Sequence, residues 1–352
     1  MTTALLRLDD RIRELIEEME GLAIEEPRSL GMMVDIHIQV QKARVATGNR
    51  VAHLERASRT DRRVEVTHLY LQRVEEVLEL LIASEWKAHP AHPWVSRISG
   101  CGDENAAKVI GIIEDTTFSG ALYEDLRAVG AVSEKVEGEE TKWVPLTLAD
   151  FKDRPAELEQ EYPALFRRRS GIYAFDTISK LRRYAGLAVI DGQVERRKKG
   201  GGKIHYNSEL RVMLWRLMTS LMRAGGKWYQ KYLEDRRYYE WRIVERDGMA
   251  IRPTPPGRFC AQCQEEKQVP KTTHFCPDCD GLLSGKKEPP GIYWEGHVEA
   301  MARRRTIRLW LDCLWLVWRE ALGLPTRSPW IEEYGQHTGI ISPWEMVDKE
   351  GV

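Results

Sequence analysis

Two Cys-x-x-Cys pairs restrict what this chain can fold into more than any other feature of its sequence. Cys260 and Cys263 form the first pair, and twelve residues separate it from the second pair, Cys276 and Cys279. Two such pairs at this spacing match the thiolates of a tetrahedral zinc site. Because four cysteines close the coordination shell, we expect a structural Zn²⁺ ion with no open position for water. His274 is a weaker candidate ligand.

The residues around these pairs predict a zinc ribbon at 251–290. Phe275, Pro277 and Gly281 suit the tight turns and small sheet of such a module, and a proline-rich linker, "IRPTPPGR", opens it at Ile251. A redox function is the alternative for a single Cys-x-x-Cys pair, but two pairs at ribbon spacing argue against it. The remaining cysteines, Cys101 and Cys313, are expected to be small buried side chains.

Apolar periodicity predicts that the rest of the chain is mainly α-helical. The first 93 residues predict a helical, coiled-coil-like region, in which heptad-spaced apolar residues between Leu5 and Leu22 precede helices at 30–56 and 64–86. A plain helical bundle and a dimerising antiparallel coiled coil both fit this pattern. A last helix is expected at 294–322, within a region of C-terminal helix and tail at 291–352, with Trp310, Trp315 and Trp318 in the core.

The net charge of −1 identifies no partner, but the distribution of charge does. Between Arg167 and Arg242 there are 19 Lys/Arg and 7 Asp/Glu, whereas the first 30 residues hold 4 Lys/Arg and 8 Asp/Glu. This asymmetry favours a polyanionic partner for the middle of the chain. The sequence lacks a signal-peptide pattern, and its most apolar window, 307–318, contains Arg308 and Asp312. We therefore expect a cytoplasmic protein without a membrane partner.

The stretch "ISGCGDENAAKVI" predicts a helix-hairpin-helix within a domain at 94–250. Gly100 can adopt positive φ, and Gly102 leaves room for close approach to the start of the following helix. Unpaired amides and the helix dipole at such a corner suit a nucleic-acid phosphate, with Lys108 as an added cation. A simple structural turn is the alternative. An acidic segment at about 131–163 is expected to be a surface insertion in this domain.

A second stretch, Ile178 to Met218, also suits phosphate contact. A short helix is expected to end at Gly186, and a helix capped by Asn207 or Ser208 follows the basic, glycine-rich "ERRKKGGGK". A solvated loop is the alternative. The cations that we assign to nucleic-acid binding in this stretch are Arg182, Arg183, Arg196, Arg197, Lys198, Lys199 and Lys203.

These blocks, in this order, resemble the C-terminal transposase domain of the insertion-sequence-110 group, whose members are DNA recombinases guided by a structured RNA. The resemblance rests on "WVSRISGCGDENAAKVIGII", "ISKLRRYAGLA", "GGGKIHYNSELRVMLWRLM" and "YQKYLEDRR", and on the closing "HVEAMARRRTIRLWLDCLWLVWRE". It implies DNA transposition or recombination, with structured RNA as a further partner. It also implies an N-terminal RuvC-like nuclease domain and a nucleophilic serine shortly after "AGLA".

The chain departs from the family at both catalytic positions. Its N-terminal region is predicted to be helical rather than RuvC-like, and no serine occurs between Ser179 and Ser208. A carboxylate such as Asp191 cannot form the phosphoseryl link. We therefore assign no catalytic residue and expect a DNA-binding, transposase-like protein, dimeric through its N-terminal helices. An active recombinase completed by another polypeptide and a zinc-containing protein-interaction scaffold are the alternatives.

Overall fold

The computed structural model describes residues 29–119, 132–137, 140–145, 168–190, 193–194, 204–254, 258–260, 262–269, 273–284, 288–326 and 341–349. The described residues are mainly helical and carry short strands, which confirms the predicted mainly-α class. They divide into two compact units, one formed by residues up to Leu217 and from Asp312 onward, the other by Met218–Leu311. None of the described helices is long and apolar enough to cross a membrane.

The first unit begins with a pair of long helices, α1 (Ser29–Arg56) and α2 (Arg62–Ala88), which run antiparallel. Side chains that pair across them show this direction, because His37 lies near Glu79 while Thr47 lies near His68. Asp61 caps α2 by accepting a hydrogen bond from the Arg63 amide. The predicted helices at 30–56 and 64–86 are thus present nearly to the residue, because capping groups and apolar periodicity are local signals. The heptad residues Leu5 to Leu22 lie outside the described residues.

Short elements complete this unit. Helix α3 (His92–Val95) and helix α4 (Asp103–Glu114) flank the predicted glycine corner, and helix α5 (Ile178–Tyr184) precedes helix α6 (Ser208–Ala224). The antiparallel strand pairs are β1 (Thr117–Ser119) with β4 (Arg168–Ser170), β2 (Val132–Glu137) with β3 (Glu140–Pro145), and β5 (Val189–Ile190) with β6 (Gln193–Val194). The pair β2–β3 lies within the predicted acidic insertion, the rest of which is outside the described residues.

Tryptophans and a close helix crossing form the core of the first unit. Trp86, Trp94 and Trp315 are buried, and the Trp315 indole donates to the Phe175 carbonyl at 2.7 Å. Helices α1 and α4 cross where Gly111 faces Val34, so closely that a Cβ on Gly111 would lie 2.6 Å from Val34 Cγ2. This crossing fixes α4, and with it the corner that precedes α4.

The second unit contains helix α7 (Lys227–Trp241), a π-helical turn (Arg242–Arg246) and most of helix α8 (Glu295–Ala321). Its strands are β7 (Ala250–Arg252) parallel to β11 (Ile292–Trp294), and a sheet of β8 (Arg258–Cys260) between β9 (Glu265–Lys267) and β10 (Leu283–Ser284). Asp235 is buried in this unit and is satisfied by Thr306, Lys231 and Arg305. The predicted final helix is present as α8, and its tryptophans Trp310, Trp315 and Trp318 are buried as expected.

Candidate metal centre and nucleic-acid interface

The β8–β9–β10 sheet brings the four cysteines of the two Cys-x-x-Cys pairs together. Cys260 ends β8, Cys263 follows in the turn toward β9, and Cys276 and Cys279 occupy the turn before β10. The second turn is held by two backbone hydrogen bonds, from the Cys276 amide to Gly281 at 2.8 Å and from the Leu283 amide to His274 at 2.8 Å. The small sheet therefore serves mainly to present sulfur atoms at one point.

The spacing of these sulfur atoms fits one tetrahedral metal ion. All four Sγ atoms lie within 4.8 Å of one another, with Cys263 and Cys279 3.3 Å apart, Cys260 and Cys279 3.5 Å apart, and Cys263 and Cys276 3.9 Å apart. Thiolates about 2.3 Å from a zinc ion would be about 3.8 Å from each other in a regular tetrahedron. A disulfide needs a separation near 2.0 Å, and all four cysteines are free. The cluster can hold a metal ion.

Both turns that carry cysteines use the same unusual backbone conformation. The residue after the second cysteine of each pair has positive φ, 57° at Gln264 and 52° at Asp280. Gly281 then passes so close to the sulfur that a Cβ there would lie 3.1 Å from Cys279 Sγ. Positive φ at a residue other than glycine costs energy and persists where the surroundings enforce it, so we attribute the repeated conformation to aiming two thiols at a common point.

The electrostatics of the cluster favour a cation. The Cys263 amide donates to Cys260 Sγ at 3.4 Å, and this hydrogen bond is the main reason why the pKa of Cys260 is lowered to about 7. The pKa of Cys263 is raised, chiefly by its contact with the Cys279 thiol and then by burial. Several thiols this close cannot all ionise unless a positive charge lies among them. His274 is exposed and does not belong to the cluster, so the four cysteines form the ligand set.

Sequence reasoning missed a second group of metal-ligating atoms, between α1 and α2. His37 Nε2 lies 3.3 Å from Glu79 Oε1 and 3.9 Å from Glu75 Oε1. Glu75, however, already forms an ion pair with Arg44 and accepts a hydrogen bond from Gln41 at 2.8 Å. Because the Arg44 guanidinium neutralises Glu75, we interpret this group as a buried polar network. Its residues are far apart in sequence, and only the register of two helices brings them together.

The glycine corner has the predicted backbone geometry. Gly100 has a φ of 84°, and Gly102 precedes α4 with an extended conformation. Gly102 is exposed, and no described side chain caps the helix at this residue. A Cβ on Gly102 would meet no described atom within 4 Å. Neither backbone conformation nor packing therefore requires glycine at position 102, although the conformation of Gly100 does favour glycine.

The charges at this corner differ from the sequence-based expectation. Lys108 is expected to offer a cation, but its side chain is 4 % exposed and pairs with Glu104 at 2.5 Å. Asp103 accepts a hydrogen bond from the Trp86 indole at 3.0 Å. The buried Lys108 is thus committed to a carboxylate one helical turn away, and the first turn of α4 carries two acids that complement its dipole. Gly102 is open to solvent, but the side chains of the first turn of α4 do not make this end of the helix electropositive.

The second predicted contact region lies where α5 and α6 meet. Gly186 has a φ of 67°, and a Cβ there would lie 2.8 Å from the Tyr206 ring. Of the two predicted capping residues, Asn207 caps α6, since its Oδ1 accepts from the amides of Glu209 and Leu210 at 3.0 Å. Since this cap uses those amides, any phosphate contact in this region has to come from cationic side chains rather than from the end of α6.

The predicted cations around α5 have different environments. Arg182 forms a two-point ion pair with Asp312, with an Nε to Oδ1 distance of 2.7 Å, so it is structural in this arrangement. Arg183, the next residue, is exposed. The remaining cations assigned from the sequence, Arg196, Arg197, Lys198, Lys199 and Lys203, lie outside the described residues.

Comparisons with models of protein families, with curated proteins and with solved structures gave no match to this chain. The function must therefore be argued from the residues and their geometry.

Proposed function

We propose that this protein binds nucleic acid, in the first place DNA, and that its cysteine cluster carries a structural Zn²⁺ ion. By its resemblance to the insertion-sequence-110 group, it acts in transposition or recombination without a catalytic nucleophile of its own. The absence of a serine between Ser179 and Ser208 supports this last point. Ser208 itself is the first residue of α6, directly after the Asn207 cap.

Gly102 is the single observation on which the nucleic-acid proposal depends. The fold does not require glycine at this exposed position, because φ is −66° and the space around its Cα is open. Gly102 is the N-cap residue of α4, and the open space around it leaves room for a ligand that approaches the backbone from outside. Phosphates approach helix starts in this way, because amide donors point outward there.

Positive charge for such a ligand comes from the region between α5 and α6. The sequence "ERRKKGGGK" at 195–203 contains five cations and one acid, and Arg183 is exposed on α5. Within the part of α6 that belongs to the same unit, Arg216 is exposed. Glycine permits backbone conformations that other residues disfavour, and the cations of this stretch supply affinity that does not depend on base sequence.

The test is binding of labelled duplex DNA, single-stranded DNA and hairpin RNA to the full chain, measured by fluorescence anisotropy at 50 and 200 mM salt. We expect affinity to fall by about a hundredfold or more over this range if about five phosphates are neutralised. Changing Arg196, Arg197, Lys198 and Lys199 to Gln is expected to reduce the logarithmic salt slope by about three to four. Absence of binding to all three probes at 50 mM salt would refute the proposal.

The matched control removes four exposed cations from the α1–α2 turn, by changing Arg56, Arg59, Arg62 and Arg63 to Gln. This variant alters the net charge by the same amount as the first one. An equal reduction of the logarithmic salt slope in both variants would therefore indicate non-specific electrostatic attraction between the protein and the nucleic acid. Gly102→Ala provides the geometric test, since we expect it to weaken binding about tenfold while leaving the fold intact. Unchanged affinity in Gly102→Ala would remove the corner from the interface.

A further inference from the structure

The C-terminal residues 341–349 pack directly against the glycine corner. The Asp348 and Lys349 amides donate to the Arg97 carbonyl at 3.0 and 3.1 Å, and the Trp94 indole donates to the Pro343 carbonyl at 2.8 Å. These contacts join residues that are about 250 positions apart in the chain, and they involve the backbone of the segment. The segment therefore follows the outside of the corner as a strap.

One contact places a carboxylate on a backbone donor of the corner. Asp348 Oδ2 accepts a hydrogen bond from the Ser99 amide at 2.7 Å. Ser99 directly precedes Gly100, whose positive φ makes the turn. A carboxylate oxygen and a non-bridging phosphate oxygen are equivalent as charged acceptors, and both form short hydrogen bonds with amides. Asp348 thus occupies a donor of the kind that a phosphate would use.

A second contact covers Arg97, a cation two residues before Ser99 in the chain. The Arg97 guanidinium lies over the Trp344 ring, 5.4 Å from its centroid. Cation–π stacking leaves the charge of Arg97 in place but puts an aromatic ring where a phosphate would pair with it. The strap therefore occupies both an amide and a cation next to the glycine turn.

The strap is held loosely enough to be displaced. Met346 is its one buried residue among those described, whereas Trp344 is 45 % exposed. Displacing it would break the hydrogen bonds to Arg97, Trp94 and Ser99, of which the bond to Ser99 is the charge-assisted one. A polyanion can replace that bond with an equivalent one.

We propose that residues 341–349 are a built-in competitor, in which Asp348 takes the place of a nucleic-acid phosphate at the glycine corner until nucleic acid displaces the strap. This inference rests on the proposed function, because it regulates the same site. It predicts that the free chain exists mainly in the closed form. Apparent affinity is then reduced by the fraction of molecules that are open.

The experiment compares the affinity of three proteins for duplex DNA. They are the wild-type chain, the full-length Asp348→Asn variant and a chain that lacks only residues 341–352. If about one molecule in ten is open, both changes raise affinity about tenfold. Asp115→Asn, at the opposite end of α4, removes the same charge from an exposed aspartate and is expected to change affinity less than twofold. An equal gain in Asp115→Asn would overturn the inference, because reduced net charge would then explain the gain.

Hydrogen exchange supplies a readout that does not depend on charge. Saturating wild type with the DNA duplex is expected to speed amide exchange in residues 343–349, since the strap leaves the corner. The strap inference would be refuted if wild type binds DNA with unchanged amide exchange in this segment and Asp348→Asn binds DNA no more tightly than wild type. The proposal of nucleic-acid binding would be unaffected by that result. If neither wild type nor either variant binds, the proposed function fails, and the strap inference fails with it.

Discussion

His37 shows how a single buried residue couples the long helices to pH. It lies in α1 with no exposed surface, and its Nδ1 has no hydrogen-bond partner among the described residues. Burial lowers the pKa of His37, and the positive charge of Lys108 on α4 lowers it further. Glu79 and Glu75 on α2 oppose this shift without cancelling it. The folded protein therefore favours the neutral imidazole.

This lowered pKa has a definite consequence for stability. The unfolded chain takes up a proton near pH 6.5, the ordinary value for histidine, whereas the folded chain does so only at lower pH. The contribution of neutral His37 is thus complete above about pH 6.5 and is lost as the pH falls toward the folded pKa, with a slope of at most about 1.4 kcal/mol per pH unit. The groups next to His37 are Gln41, Arg44, Glu75, Glu79 and Lys108. They are the same in the wild-type protein and in a variant that replaces His37.

We predict that His37→Gln unfolds with a weaker pH dependence than wild type between pH 7 and pH 5. Chemical denaturation at several pH values measures the difference in free energy of unfolding between the two proteins, which is expected to shrink on acidification. His53→Gln, on the exposed side of the same helix, controls for the loss of a histidine. A difference that stays constant over this range would show that His37 does not change its protonation on unfolding.

At the scale of elements, the crossing of α1 and α4 depends on Gly111. We predict that Gly111→Ala destabilises the protein by about 1–3 kcal/mol, because the added Cβ would overlap Val34. Gly102→Ala, at the N-cap of the same helix, is expected to cost less, about 0.5–1 kcal/mol, because alanine is a poorer N-cap residue than glycine. Urea denaturation followed by circular dichroism measures both. Equal destabilisation by the two changes would contradict the packing argument.

Some of the helices, the cysteine set and one ion pair could be predicted from the sequence. Helices at 29–56, 62–88 and 295–321 were predictable because caps, proline breaks and apolar periodicity are encoded within each segment. The cysteine set was predictable because ligand spacing is local. The ion pair of Lys108 with Glu104 is also local, at positions i and i+4, and could have been anticipated.

Long-range pairings could not be predicted in the same way. Arg182 meets Asp312 across 130 positions and Ser99 meets Asp348 across 249, so neither pair has a signature in the sequence. The first pairing occupies a residue that was assigned to nucleic-acid binding, and the second occupies a backbone amide next to Gly100. The residues that occupy or neutralise the proposed nucleic-acid contacts therefore had to come from the structure.

For the second unit, the metal is expected to replace a hydrophobic core in the ribbon. The buried cluster around the cysteines consists of Cys260, Cys276 and Leu283, with Val269 partly buried beside it, whereas Phe259 of β8 packs against Ile292 and Trp294. Because few apolar side chains surround the cysteines, we expect folding of the ribbon to draw on metal binding. We predict that wild type binds one Zn²⁺ ion and that Cys276→Ser loses it.

The measurement is elemental analysis of the purified chain together with limited proteolysis. Loss of the metal is expected to create cleavage sites between 261 and 287, while the helical circular dichroism signal changes little. His274→Ala is the matched control, since His274 lies next to the cluster in sequence but outside it, and it is expected to keep the full metal content. Retention of zinc by Cys276→Ser would show that the four cysteines do not form the site.

At the scale of the whole molecule, we expect the chain to be a homodimer, formed through the helices that precede residue 94. Helix α2 carries more apolar residues than α1 covers, and Leu69, Tyr70, Val74 and Leu80 remain exposed along it. A second helix pair could bury these side chains, at about 25 cal/mol per Å² of apolar area removed from water.

Light scattering after gel filtration should then give twice the chain mass of 40.7 kDa. The double substitution Leu69→Glu and Val74→Glu is expected to reduce the measured mass to that of one chain, because two charges would have to be buried in the interface. Thr67→Glu with Gln72→Glu adds the same charge to exposed polar positions of α2 and should leave the dimer intact. A wild-type mass of one chain at micromolar concentration would contradict the dimer, and dissociation of both variants would assign it to general charge rather than to the apolar residues of α2.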